Sequence, residues 1–104
     1  MKKYIFWKIK PGKKQTWINW CNEIIQHQNE VIETMKEENL IHERCVIFED
    51  YVFYEHETVE GKEKKPMNPN REINQKHQRI LNECLEHIEG NIGVIGYDLK
   101  ITNE

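Results

Sequence analysis

His77 is the residue best placed by type and spacing to do chemistry. It lies within an apolar helical stripe formed by Ile73, Ile80, Leu81 and Cys84. An imidazole titrates near neutral pH, so a neutral ring in that setting suits a general base or a haem ligand. A core histidine bonded to a backbone carbonyl or to Tyr54 meets the same pattern. Trp7, Trp17 and Tyr54 offer flat walls to a small ligand, although the helical spacing of Trp17 and Trp20 favours packing on a sheet. His42, Glu55 and His56 fall in extended stretches, where they line a cavity of the dimer or sit at an edge or rim.

Several chemistries are set aside by composition. The chain has no serine, so a serine nucleophile is excluded. Cys21, Cys45 and Cys84 are widely spaced without a Cys-x-x-Cys pair, and read as reduced thiols in apolar surroundings that blunt their reactivity. No His-x-x-x-His pair or thiolate cluster builds a metal site, and no glycine-rich loop cradles phosphate. The expected cofactor set is therefore empty, with haem the one group left open by His77. A net charge of -3 and scattered lysines argue against nucleic acid. No apolar run approaches bilayer length, and Lys8 interrupts the short one that follows Met1. Reduced thiols and the lack of a leader-like segment give a cytoplasmic expectation.

The elements that must position these residues can be read in order. Lys3 to Lys10 alternates aromatic and β-branched residues at period two and is a strand, stopped by Pro11-Gly12. Lys13 to Glu38 has helical period, with Trp17, Trp20, Cys21, Ile24, Ile25, Val31, Ile32 and Met35 in one arc and Gln28 within it. Asn39 ends that helix. Ile41 to Glu49 and Tyr51 to Glu57 form a hairpin. Thr58 to Arg71, with Gly61, Pro66 and Pro69, is an aperiodic loop that either decorates the surface or acts as a lid. Ile73 to Glu89 is a second helix, capped by Gly90. Ile92 to Thr102 is a last strand, with a bulge or a close backbone approach at Gly93 and Gly96.

Strand, helix, strand, strand, helix, strand within 104 residues is one α+β domain of ferredoxin-like β-α-β-β-α-β order. Its four-stranded antiparallel sheet carries two helices on one face. Large apolar groups occur on both sides of the strands, Tyr4 and Phe6 against Ile5 and Trp7, for example. The uncovered side would be an apolar patch larger than a monomer usually exposes, so a face-to-face homodimer is expected.

Lys10-Pro11-Gly12-Lys13, Trp17, Trp20, Glu37-Glu38, the Tyr51 to Tyr54 hairpin, and Ile73 with His77 resemble a family of small uncharacterised bacterial proteins. That family belongs to the dimeric α/β-barrel, ferredoxin-like group. The resemblance implies the same fold and dimer. The wider group spans cofactor-less monooxygenases, haem-degrading enzymes, isomerases and proteins without known activity, so fold alone assigns no reaction.

Three functions follow. One is a dimeric barrel binding a small apolar or aromatic metabolite between sheet and helices, through Trp7, Trp17, Tyr54, His42 and Glu55. Another is a monooxygenase-like or haem-degrading enzyme using His77. The last is a structural dimer with a filled core.

Overall fold

Alternating residues make the strands of the computed structural model, which describes residues 1–102. β1 (Lys2–Ile9), β2 (Leu40–Phe48), β3 (Tyr51–Thr58) and β4 (Leu85–Gly93) form one antiparallel sheet in the order β2-β3-β1-β4. The helical layer holds α1 (Lys14–Gln26), α2 (Gln28–Glu37) and α3 (Glu72–Cys84). Since β1 and β2 both pair antiparallel with β3, they run parallel to each other with β3 between them. The chain is thus an α+β domain with three helices rather than two.

Period-two alternation gives each strand an inner and an outer row. Ile9, Val52 and Tyr54 are buried on the inner face with Trp17 and Trp20 of α1 and with Cys84 and Leu85. Trp7, Cys45 and Ile47 extend that core at partial burial. The outer row carries Phe6, Phe53 and Phe48, and the Phe6 and Phe53 rings stack at 5.4 Å. Phe48 is 67% and Tyr51 46% exposed, so this face is open to water.

The continuous helix expected over 13–38 is two helices. His27 leaves helical geometry at φ -108 and ψ 30, and its N–H still donates back to the carbonyls of Glu23 and Ile24. The break shifts the helical phase. Thr34 and Glu38 turn inward, while Ile25, Ile32 and Gln28, expected in the buried arc, are exposed. Asn39 takes φ +62 just beyond α2, the left-handed conformation expected of a terminator there.

The C-terminal boundary also differs from the sequence reading. The helix expected to reach Glu89 stops at Cys84, and the strand expected over 92–102 is β4, from Leu85 to Gly93. Cys84 and Ile88 are four apart, so helical period continues through a segment that the sheet claims. Pairing wins because β1 otherwise lacks a neighbour on that side. Ile9 faces Leu85, Lys8 faces the opposite charge of Glu86, and Trp7 faces His87 edge-on. Beyond Trp7 the register jumps, leaving a bulge in β4 before Ile92 meets Ile5. Gly90 sits in that bulge at φ +66 instead of capping a helix. Gly93 is the close approach expected of it, since an added Cβ would lie 2.6 Å from Phe6 Cε2. Gly96 has open space around it.

Candidate functional site

Between the inner sheet face and the helices lies a cavity of about 190 Å³. Trp7, Ile5 and Tyr54 form its sheet wall. Trp20, Ile24 and Val31 line it from the first helical layer, and Ile73, His77 and Leu81 from α3. An apolar cavity of roughly 150 Å³ is enough to hold benzene, so this volume suits a single-ring molecule.

The polar groups on the wall come from the inward row of the hairpin and from the turn after α2. Glu43 on β2 shares a side with Cys45 and Ile47, and pairs in register with His56 on β3. Their nearest polar atoms, Glu43 Oε2 and His56 Nε2, are 3.8 Å apart. His56 Nδ1 is buried without a hydrogen-bond partner. Burial, aided by the negative charge of Glu38, pushes the Glu43 carboxyl up to about 7. Burial, helped by Lys64 and Lys3, pulls His56 down to about 4. At neutral pH the site therefore holds an acid at mid-titration beside a neutral imidazole, the protonation pattern that acid–base work uses.

His77 is fixed differently. The Trp20 indole N–H donates to His77 Nδ1 at 2.9 Å. An indole nitrogen only donates, so Nδ1 must be the bare nitrogen and Nε2 carries the proton of the neutral ring. Burial lowers this histidine to about 4, so it stays neutral well below pH 7. The Nε2–H is therefore the group this ring can offer to a ligand. It does not fit haem, because the nitrogen left for iron already bears a proton, and a base would first have to give up the Trp20 bond. Trp20→Phe removes that donor. The expected result is a changed His77 tautomer balance, read from its ring ¹⁵N shifts, with a stability loss of about 1–3 kcal/mol. Unaltered ring shifts would contradict the assignment.

Thr58 to Arg71 closes one side of the cavity. Lys64 Nζ reaches the buried Glu38 carboxylate at 3.1 Å. The Lys65 N–H donates to the Glu38 carbonyl, and Asn39 Nδ2 donates to the Glu63 carbonyl at 2.9 Å. Met67 lines the cavity beside Lys64. At the far end of the segment, Arg71 grips Glu37 with two hydrogen bonds of 2.9 and 3.1 Å. That guanidinium holds the Glu37 carboxyl below its usual range.

Of the residues singled out from sequence, His77, Trp7, Tyr54 and His56 meet at this cavity. Trp17 stands behind them, fully buried, with its ring 6.3 Å from Tyr54 and 6.2 Å from His77. His42 and Glu55 are not brought to it. They lie on the outer sheet face, where Glu55 is ion-paired with Arg44 at 3.1 Å and lies 3.9 Å from His42. Glu43, Glu38 and Lys64 carry the site's charge and received no role from sequence. The one legible signal was Glu43's place on the apolar side of its strand.

Cys21 and Cys45 are free, and Cys21 is held as a thiol by its hydrogen bond to Cys45 and by burial. Burial also raises Cys84. Among the described residues, no group of three His, Cys, Asp or Glu side chains could hold a metal ion. Nor is any helix there long and apolar enough to cross a membrane.

Comparison with protein families matches residues 4–95 to a family of unknown function (DUF6176). No curated protein matches the chain.

Proposed function

The chain belongs to the DUF6176 family, which assigns it no reaction, and from that premise we propose that it is a homodimer binding a small apolar or aromatic metabolite between sheet and helices. The observation that carries this reading is the cavity itself. Its walls are aromatic and aliphatic, its volume is ring-sized, and Glu43 and His56 stand at one side as the polar pair that would orient a ligand. Binding pockets commonly combine an apolar lining with a few polar groups. A filled core, as a purely structural dimer would have, leaves that space without a purpose.

The finer fold reading is ferredoxin-like, of the dimeric α/β-barrel kind. The interleaved parallel pairs, β1 with β2 and β3 with β4, support it. The exposed outer face, with stacked Phe6 and Phe53 beside Phe48 and Tyr51, supports burial against a second copy. Free thiols keep a cytoplasmic location as the matching expectation.

A second reading, an enzyme, is favoured by one specific feature, the Glu43 carboxyl held near neutrality beside a neutral His56. Of the monooxygenase-like possibilities, the cofactor-less kind suits the cavity better than a haem-dependent one, because His77 presents no free lone pair. In such an enzyme Glu43 would move the proton and His77 would only donate a hydrogen bond.

Single-ring probes, phenol and indole among them, test the binding reading by thermal shift. At least one is expected to raise the Tm of the wild-type chain. The same probe should lose its effect in Leu81→Trp, which fills the cavity, and weaken in Glu43→Gln. An equal shift in the filled variant would place binding elsewhere and refute the proposal.

A further inference from the structure

We propose that residues 94–101 form a strand that each copy of the chain supplies to the other, pairing along the free edge of the partner's β2. This rests on the homodimer reading and adds to it the segment and the edge that join the copies. Ile95, Tyr97, Leu99 and Ile101 alternate with Gly96, Asp98 and Lys100, the period of a strand with one apolar row. Yet among the described residues this stretch has no strand partner in its own chain. Tyr97, Leu99 and Ile101 are 83, 86 and 91% exposed. The radius of gyration of the chain is 14.9 Å, against about 13 Å for a compact chain of this length. A row of large apolar side chains stands in water without a partner.

The sheet indicates which edge receives it. The edges are β2 and β4. The β4 edge is broken by the bulge around Gly90, which spoils a regular ladder. The β2 edge keeps even register from His42 to Phe48, with no strand on its outer side among the described residues. An unprotected regular edge is a template for another strand. The tail leaves β4 at the opposite edge of its own sheet. Its own β2 lies three strand spacings away, about 14 Å across. A second copy removes that obstacle. With its apolar row on the outer face, the added strand would continue the row of Val46 and Phe48, the side already left apolar by Phe6 and Phe53.

Sedimentation velocity over a range of concentrations tests this with the full chain, a chain ending at Gly93, and full-length Leu99→Pro. Leu99 is remote from its own core, so the last variant removes a ladder donor without unfolding the domain. The full chain is expected to dimerise, and both variants to do so more than about a hundredfold less tightly. A mixed sample of ¹³C-labelled and unlabelled chains should show interchain NOEs from Leu99 or Ile101 methyls to Val46. Dimers of unchanged affinity in both variants would overturn the exchange while leaving the homodimer intact. Tail contacts confined to one chain would do the same. A full chain that stays monomeric throughout would overturn both.

Discussion

Trp17→Ala lowers the unfolding free energy by about 3–5 kcal/mol, the usual cost of deleting a buried tryptophan side chain. Trp17 is fully buried and touches both layers, with Tyr54 on the sheet and His77 on α3 as ring neighbours. No other side chain is as large among the fully buried ones. A domain stability of roughly 5–15 kcal/mol would lose a large share of itself. The indole N–H is buried without a hydrogen-bond acceptor, a desolvation cost that a phenylalanine would not carry. Trp17→Phe should therefore cost distinctly less than the alanine variant. Urea unfolding at neutral pH measures both, and near-equal costs would show that volume is not what matters at this position.

Acidification gives the second large effect, and its sign follows from three groups that share the cavity. His56 and His77 each fall from an ordinary 6.5 to about 4 in the fold. Above pH 6.5 both are neutral whether the chain is folded or not, and their contribution is intact. As pH drops from 6.5 towards 4 the unfolded chain takes up protons that the fold refuses, so stability is lost. Each histidine is worth roughly 3 kcal/mol across that window. Glu43 works in the opposite direction, since it rises from 4.5 to about 7. Between pH 7 and 4.5 the folded carboxyl is protonated while the unfolded one is not, so acidification stabilises through this group. Two losses against one gain leave a net loss of about one histidine, roughly 3 kcal/mol, by pH 4. Glu43→Gln removes the opposing gain and should about double the loss. Urea midpoints at pH 7, 6, 5 and 4.5 for both proteins test this. A flat profile in Glu43→Gln would mean that the histidines titrate normally.

The first three strands and the start of the first helix are legible in sequence, because Tyr4 to Ile9 and Tyr51 to His56 alternate cleanly and Trp17, Trp20 and Ile24 keep helical period. The break at His27 is not legible, since no glycine or proline marks it. Nor is the division of α3 from β4. Cys84 and Ile88 satisfy helical spacing, and only the partners waiting on β1 turn Leu85 into a strand residue. The same limit governs the site. Trp7, Tyr54 and His77 are legible because each lies on the apolar side of its element. Lys64 and Glu38 meet only because the segment after β3 folds back onto the end of α2, a contact that local pattern does not encode. His42 and Glu55 do not join this cavity, because alternation puts them on the other face of the sheet.

The binding claim is tested most directly by methyl NMR of the isoleucines during titration with a single-ring aromatic probe. Ile5, Ile24 and Ile73 line the cavity, whereas Ile41 and Ile92 lie exposed at the sheet edges. We expect the first three to shift together along one saturable curve while the other two stay still. If none of the three moves with any such probe, or if Ile41 and Ile92 move instead, the space between sheet and helices is not a binding site.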